Sequence, residues 1–295
     1  MDFKKCLKAF KFVDISKDLY EYAATFGANL KEKNLSEVEI YLSQSFDFCA
    51  AFFGALGVGV KPILLAKPIY SGDKFVINDE NFGDFLDFSK SMELKFDQNS
   101  TFFLQTSGST GNSKNVPKKL GAMIDEGLFL KDELGFNKGD KFFASVSHQH
   151  MFGLTFKIFL PLISGAKAVS RELNYPEAIF ELDLTNLTFV TSPVLLQTLV
   201  SSPRAAEISG LKNIICAGSA LKSELRAKIE SLSSARIIEI YGSTETGIVA
   251  RNLGDELLLF SKVKAALNED EALNVSSPWC EFFQTSDWAQ IDGSR

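Results

Sequence analysis

Thr106-Ser-Gly-Ser-Thr-Gly-Asn-Ser-Lys114 is the stretch that decides how this chain folds and what it binds. The glycines at 108 and 111 allow the backbone to turn so that several N–H groups point at one anion. Hydroxyl side chains add donors, and Lys114 adds a positive charge. Residues 101–105 just before it predict a strand, so the stretch is a loop that suits phosphate at a strand end.

The spacing of this loop differs from that of a Walker A loop. Gly108 and Lys114 stand at the Walker A distance, but Ser113 replaces the glycine that would precede the lysine. On composition alone, a solvated turn rich in serine and glycine explains the stretch equally well. A second motif is needed to choose between the two interpretations.

That second motif is Tyr241-Gly-Ser-Thr-Glu-Thr-Gly247, which follows an apolar run that predicts a buried strand end. With the first loop, in this order, it resembles the adenylate-forming superfamily: acyl- and aryl-CoA synthetases, luciferases and the adenylation domains of peptide synthetases. Other segments resemble motifs of that superfamily: His148-Gln-His-Met-Phe-Gly153, Cys216-Ala-Gly-Ser-Ala-Leu221, Leu273-Asn-Val-Ser-Ser-Pro278 and Thr285-Ser-Asp287.

The resemblance implies a reaction and its cofactors. A carboxylic acid attacks the α-phosphate of ATP with Mg²⁺ present, giving an acyl-adenylate and pyrophosphate. The acyl group then passes to the thiol of CoA or of a carrier-protein phosphopantetheine. Phe152 and Val194, near the implied acyl pocket, favour a fatty or aryl acid over an amino acid.

Matching motif positions assigns a role to each residue. The β- and γ-phosphates would lie against Thr106, Ser107, Gly108, Ser109, Thr110, Gly111 and Lys114. Adenine would stack on Tyr241, with Gly218, Ser219 and Ala220 on its other face and Gly242 beside it, and Asp287 would bind the ribose. Thr244 would touch the α-phosphate, Glu245 would hold Mg²⁺, and His150 would lie between the acyl pocket and the phosphates.

Each of these assignments has a simpler alternative. Glu245 could equally be a solvent-exposed carboxylate in a turn, and Tyr241 could be an aromatic core residue at the end of a strand. Asp287 could belong to a surface turn. His148 and His150 stand two apart on a predicted strand, so both would face one side. We expect a structural role for His148 and no metal site at this pair, because the chain has only these two histidines and its four cysteines are far apart.

Composition narrows the class of protein. Hydrophobic residues make up 45% and charged residues 23% of 295 residues, as in soluble globular proteins. The net charge of −6 argues against a nucleic-acid partner. The longest apolar stretch, 48–60, is shorter than the roughly 20 residues that span a bilayer. With no secretion signal at the N-terminus and no disulfide spacing, we expect a cytoplasmic protein.

Strand and helix patterns alternate along most of the chain, which predicts an α/β fold with largely parallel sheets flanked by helices. Beyond Gly247 short β-like pieces predict a small β-rich C-terminal portion. Predicted helices cover 45–57, 118–134, 152–162, 192–200 and 222–232. We expect one large N-terminal domain of an adenylate-forming enzyme over 1–295, with subdomains 1–170 and 171–250 and the β-rich portion 251–295.

The chain departs from the resemblance at its C-terminal end. Full-length members continue into a small lid domain that carries a lysine bridging the substrate carboxylate and the α-phosphate, and no residue here matches that lysine. We therefore expect impaired adenylation by this chain alone. The alternatives are a non-catalytic adenylate-binding protein, a subunit completed by a separate lid domain, and an unrelated nucleotide hydrolase that would release inorganic phosphate.

Overall fold

Two compact units make up the chain. The computed structural model describes residues 1–70, 72–106, 113–253 and 256–290. Unit 1 comprises Met1–Phe142 and Ser147–Glu172, and unit 2 comprises Phe143–Val146 and Leu173–Arg295.

The elements of unit 1 alternate between helices and short strands. Its helices are α1 (Phe3–Ala9), α2 (Leu19–Lys31), α3 (Ser45–Gly57), α4 (Leu120–Leu134), α5 (Met151–Gly153) and α6 (Leu160–Ser164). Its strands are β1 (Lys11–Phe12), β2 (Glu37–Tyr41), β3 (Lys61–Leu64), β4 (Val76–Asn78), β5 (Thr101–Thr106), β6 (Lys114–Lys119), β7 (Lys141–Ala144) and β8 (Lys167–Ala168). A 3₁₀ helix covers Phe82–Phe85, and a π-helical segment covers Leu154–Phe159 between α5 and α6.

The main sheet of unit 1 has the order β4-β2-β3-β5-β6. Its first four strands run parallel and β6 runs antiparallel to β5. Apolar α3, buried along almost its whole length, packs on β2 and β3 of this sheet and on α2. Strands β1, β8 and β7 pair in parallel as a second, shorter set.

Unit 2 continues the alternation and then turns into antiparallel strands. Its elements are α7 (Pro176–Ile179), β9 (Leu187–Thr191), α8 (Pro193–Val200), a 3₁₀ helix (Ala205–Gly210), β10 (Asn213–Cys216), α9 (Ser223–Leu232), β11 (Arg236–Ser243), β12 (Gly247–Asn252), β13 (Leu257–Leu259), β14 (Lys264–Leu267), β15 (Ala272–Ser277) and β16 (Cys280–Trp288). Strands β9, β10 and β11 are parallel, whereas β12 and β13 add on as antiparallel strands.

The last strands form a small antiparallel sheet in the order β14-β15-β16. The indole of Trp279, buried between β15 and β16, donates a hydrogen bond to the carbonyl of Ile248 at 3.1 Å and so ties this sheet to β12. The expected fold class is confirmed: parallel sheets flanked by helices, followed by a small β-rich C-terminal part.

Three local predictions differ from the structure. The predicted helix over 118–134 begins only at Leu120, because residues 114–119 bury Val116 and Lys118 alternately and pair with β5 as a strand. The two histidines do not share a strand. They lie in the turn before α5, where His148 is buried and His150 is exposed. The predicted helix over 152–162 is interrupted by the π-helical segment.

Candidate adenine-nucleotide site

The candidate phosphate loop connects two paired strands of unit 1, β5 and β6. Thr106 and Lys114 are cross-strand partners at the open end of β5 and β6, and the Thr106 hydroxyl donates to the Lys114 carbonyl at 3.3 Å. The predicted ligands Ser107, Gly108, Ser109, Thr110 and Gly111 lie outside the described residues. Lys114 is exposed at the base of the loop, where its ammonium group is accessible to an anion.

In unit 2, two parallel strands bring the other nucleotide motifs to one edge. β10 ends at Cys216 and its neighbour β11 ends at Ser243, and Cys216 pairs with Glu239. Because the carboxyl ends of parallel strands share an edge of the sheet, the loop after β10 and the end of β11 lie side by side. Ligands of open α/β sheets bind at this edge.

A cleft of about 450 Å³ opens at this edge. It is lined by Gly218, Ser219, Ala220, Glu239, Ile240, Tyr241, Gly242, Asn252, Glu256 and Leu257. The predicted adenine-side residues therefore share one cavity, whose size and mixed apolar and polar lining suit a purine ring. We call Gly218–Ala220 the base-side loop; all three of its residues are exposed, and Gly218 has a φ of +95°.

Tyr241 and Asp287 are joined directly. The Tyr241 hydroxyl donates to the Asp287 carboxylate at 2.5 Å, although the two residues are 46 positions apart. Burial, together with this carboxylate, raises the pKa of the Tyr241 phenol well above its usual value, so the phenol stays protonated at physiological pH. This hydrogen bond holds Asp287, the candidate ribose ligand, beside Tyr241, the candidate stacking partner of adenine.

The turn between β11 and β12 carries Thr244 and Glu245, both half-buried. A Cβ at Gly242 would lie 2.2 Å from the Gly247 carbonyl oxygen, so only glycine permits this close backbone approach. Buried Thr246 accepts from the Ser243 N–H at 3.0 Å and donates to the Gly247 carbonyl at 2.9 Å. The motif thus owes its glycines and Thr246 to the geometry of the turn.

His148 is a structural residue, as expected. Its Nε2 lies 2.8 Å from the Leu42 carbonyl and must donate to it, so Nδ1 accepts from the Ser45 hydroxyl at 3.1 Å. Burial holds the pKa of the ring well below its usual value, which keeps it neutral. The ring also packs on Phe48 at a centroid distance of 4.3 Å.

His150 precedes α5, and its carbonyl accepts from the N–H of Leu154 at 2.8 Å. The residue is exposed, yet the surrounding chain removes enough water from the imidazole to lower its pKa. Gly153 is required here, because a Cβ would lie 2.0 Å from the Ser147 carbonyl oxygen. Among the described residues, no group of three or more His, Cys, Asp or Glu side chains could hold a metal ion.

Sequence reasoning missed three buried polar residues. The amide of Gln149, turned to satisfy its neighbours, donates to the carbonyls of Ile40 and Leu65 at 2.9 and 3.2 Å and so joins the ends of β2 and β3. Lys157 is buried in the π-helical segment, and Glu239 is buried in β11. Lys157 and Glu239 each interrupt an apolar run, which is the only signal that the sequence offers for these two.

Comparison with known proteins agrees with this geometry. The family described as AMP-binding enzyme matches residues 64–274, most of the chain. Because this match covers more than half of the chain, the chain belongs to the AMP-binding enzyme family.

Relatives by sequence are large synthetases. The chain is 28% identical over 156 residues to tyrocidine synthase 3 of Brevibacillus parabrevis, and 28% identical over 171 residues to enterobactin synthase component F of Escherichia coli strain K12. These matches cover 50% and 54% of the chain. They span only 2% and 13% of the two synthetases, respectively.

Solved structures with a similar fold include a CoA ligase. A benzoate CoA ligase from Burkholderia xenovorans LB400 superposes with a TM-score of 0.82 at 17% identity, over 95% of this chain and 72% of the ligase chain. ATP-bound MatB from Rhodopseudomonas palustris superposes with a TM-score of 0.79 at 16% identity, over 95% and 71% of the two chains. At sequence identities of 16–17%, this similarity shows a shared fold and nothing further.

In the part of the chain that the structure describes, the helices are too short or too polar to cross a bilayer.

Proposed function

We propose that this chain binds Mg·ATP and activates a carboxylic acid as an acyl-adenylate, for transfer to the thiol of CoA or of a carrier protein. The observation that carries the proposal is the cleft of unit 2, which collects the base-side loop, Tyr241 and Gly242 in one cavity with Asp287 bonded to Tyr241. Family membership supports the same reaction.

The charge and shape of each side chain suggest its role in binding ATP. Tyr241 would stack on adenine, and the Asp287 carboxylate would accept hydrogen bonds from the ribose hydroxyls. Lys114 and the hydroxyl-rich loop would neutralise the β- and γ-phosphates, while Thr244 would contact the α-phosphate. Mg²⁺, held by Glu245 and phosphate oxygens, would withdraw charge from the triphosphate. Neutralising that charge lets the substrate carboxylate approach the α-phosphate.

His150 would contribute at the acyl end. Its lowered pKa leaves the imidazole neutral at pH 7, so it adds no second positive charge and can serve as a hydrogen-bond partner for the acid. Phe152 and exposed Val194 favour an apolar acid, fatty or aryl, as the substrate class. We further propose slow acyl-adenylate formation by these 295 residues alone, because none of them matches the lysine of the family's lid domain.

The test combines binding and turnover. Isothermal titration with ATP and GTP measures nucleotide affinity and base preference, and pyrophosphate release with a panel of fatty, aryl and amino acids measures activation. The variant Lys114→Ala is expected to weaken ATP binding about tenfold, the loss of one charged hydrogen bond, and to leave binding of adenosine unchanged. Lys119→Ala, at the other end of β6, is the matched control.

The products separate the alternatives. Pyrophosphate and acyl-AMP with an acid present support the proposal, and addition of a lid domain from a relative is expected to raise the rate. ADP and inorganic phosphate, with no AMP or pyrophosphate, would identify a hydrolase instead. Tight ATP binding without turnover, even with an added lid domain, would identify a non-catalytic adenylate-binding protein.

A further inference from the structure

Glu239 lies at the floor of the cleft of unit 2, two residues before the motif Tyr241–Gly247. It interrupts the apolar run of β11, it is 4% exposed, and it lines the cavity together with Tyr241. Residues 239 and 241 are two apart on one strand, so their side chains project from the same side of the sheet. A carboxylate is therefore buried beneath the surface on which the base would rest.

Three donors from three elements contact this carboxylate. The Leu221 backbone N–H, directly after the base-side loop, donates to Oε2 at 3.0 Å. The Asn252 side-chain amide of β12 donates to the same oxygen at 3.0 Å, and the Arg226 guanidinium of α9 donates to Oε1. A carboxylate that receives three donors fits its ionised form, and Arg226 compensates its charge.

The consequence for the base-side loop follows from its backbone. Gly218 has positive φ, and no atom lies within 4 Å of where a Cβ would be at that residue. Packing therefore does little to restrain the loop at Gly218, whereas Glu239 fixes its far end through Leu221. The same carboxylate joins that end to α9 and to β12, which forms the opposite wall of the cleft through Asn252.

We infer that Glu239 is a positioning residue for nucleotide binding: through Leu221, Arg226 and Asn252 it sets the distance between the base-side loop and Tyr241. The inference rests on the proposed function of the same cleft. It assigns Glu239 no contact with the reacting atoms; its effect reaches the base through the loop.

The decisive variants separate positioning from stability. Glu239→Met keeps a similar volume but removes all three acceptor contacts and leaves Arg226 without its buried partner. The double variant Arg226→Met/Glu239→Met removes the orphaned cation as well, so unfolding stability should recover. The Leu221 N–H still has no carboxylate, so the loop remains unpositioned. Glu230→Met is the matched control, because Glu230 is an exposed partner of Arg226 at 3.7 Å.

Isothermal titration with AMP is the first readout. The double variant is expected to raise the Kd of AMP roughly tenfold, the equivalent of about one hydrogen bond, while Glu230→Met leaves the Kd within twofold of wild type. Hydrogen exchange without nucleotide is the second readout: peptides covering residues 217–222 should exchange faster in the double variant. In turnover assays the KM for ATP should rise while kcat and the KM for the acid change little.

The outcomes are distinguishable. If wild type binds AMP and the double variant, folded with restored stability, binds it equally well, then Glu239 does not position the loop and the proposed function stands. Unchanged exchange at 217–222 would overturn the inference in the same way. If wild type binds no adenine nucleotide, the proposed function fails and the inference fails with it.

Discussion

Replacing Lys157 with methionine should make the protein more stable at neutral pH. Lys157 is 1% exposed in the π-helical segment, and its Nζ has no hydrogen-bond partner among the described residues. Burial lowers the pKa of the amine from 10.5 to about 8, against the partial compensation of Glu172, Cys49 and Asp14. A depression of this size corresponds to about 3 kcal/mol of preference for the neutral amine.

The pH dependence follows from this direction. Below pH 8 the amine is protonated in both states, so the folded protein carries the full cost of the buried charge. Between pH 8 and 10.5 the folded state releases a proton that the unfolded state keeps, so the contribution of Lys157 to stability rises with pH. Lys157→Met should therefore gain about 2–3 kcal/mol at pH 7, and the gain should vanish near pH 10.

Urea unfolding of wild type and variant at pH 7, 8, 9 and 10 measures this gain. The difference between the two proteins is the informative quantity, because burial also raises the pKa values of Cys216 and Tyr241, neither of which depends on Lys157, and these shifts destabilise wild type and variant alike at high pH. Lys167→Met, the same change at an exposed site, should show no such dependence. A Lys157→Met variant that is less stable than wild type at pH 7 would refute the reasoning.

Further substitutions test Gly153 and His148 in the segment His148–Gly153, and Tyr241 in the segment Tyr241–Gly247. Gly153→Ala places a Cβ 2.0 Å from the Ser147 carbonyl oxygen and should lower the free energy of unfolding by about 3 kcal/mol or more, whereas Gly83→Ala, in open space, should change it by less than about 1 kcal/mol; urea denaturation measures both. His148→Phe leaves the Leu42 carbonyl and the Ser45 hydroxyl without the ring and should destabilise by about 1–3 kcal/mol at pH 7; because the folded ring stays neutral, the deficit should shrink as the pH falls below 6.5, and a constant deficit from pH 7 to 5 would contradict this assignment. Tyr241→Ala should raise the Kd of AMP by about 5- to 150-fold through lost stacking, and Tyr241→Phe by far less; equal losses in the two variants, measured by titration calorimetry, would show that the hydroxyl and not the ring is what matters.

Long apolar elements with clear ends were predictable from the sequence. Helix α3 matches the expected 45–57, because its face of Phe and Ala residues is followed by a glycine-rich end. Strand β9 and helix α8 also match, since Ser192 caps the helix start and Pro193 occupies its first turn. In such segments burial and local backbone preference favour the same structure.

Elements set by pairing with a distant strand were not predictable. Strand β6, with its sequence Lys-Asn-Val-Pro-Lys-Lys, has little apolar character and exists because it pairs with β5. The π-helical segment keeps the apolar composition of a helix, so its different hydrogen bonding leaves no trace in residue type. Helices α1 and α2, whose N-terminal caps are Asp2 and Asp18, were not predicted from the sequence.

The candidate site divides in the same way. The predicted adenine-side residues came from the resemblance to the adenylate-forming superfamily, and the structure brings the base-side loop, Tyr241 and Gly242 into one cleft with Asp287 bonded to the tyrosine. Glu239 could not be named, because a single carboxylate in a run of isoleucines has no periodic signal. Its role depends on Arg226 and Asn252, which lie 13 positions away on either side.

A crystal structure of this chain with bound AMP tests the central claim most directly. We expect the adenine ring between Gly218–Ala220 and Tyr241, with the ribose hydroxyls on Asp287. Electron density for the nucleotide outside this cleft, with Tyr241 still bonded to Asp287 and the cleft empty, would contradict it.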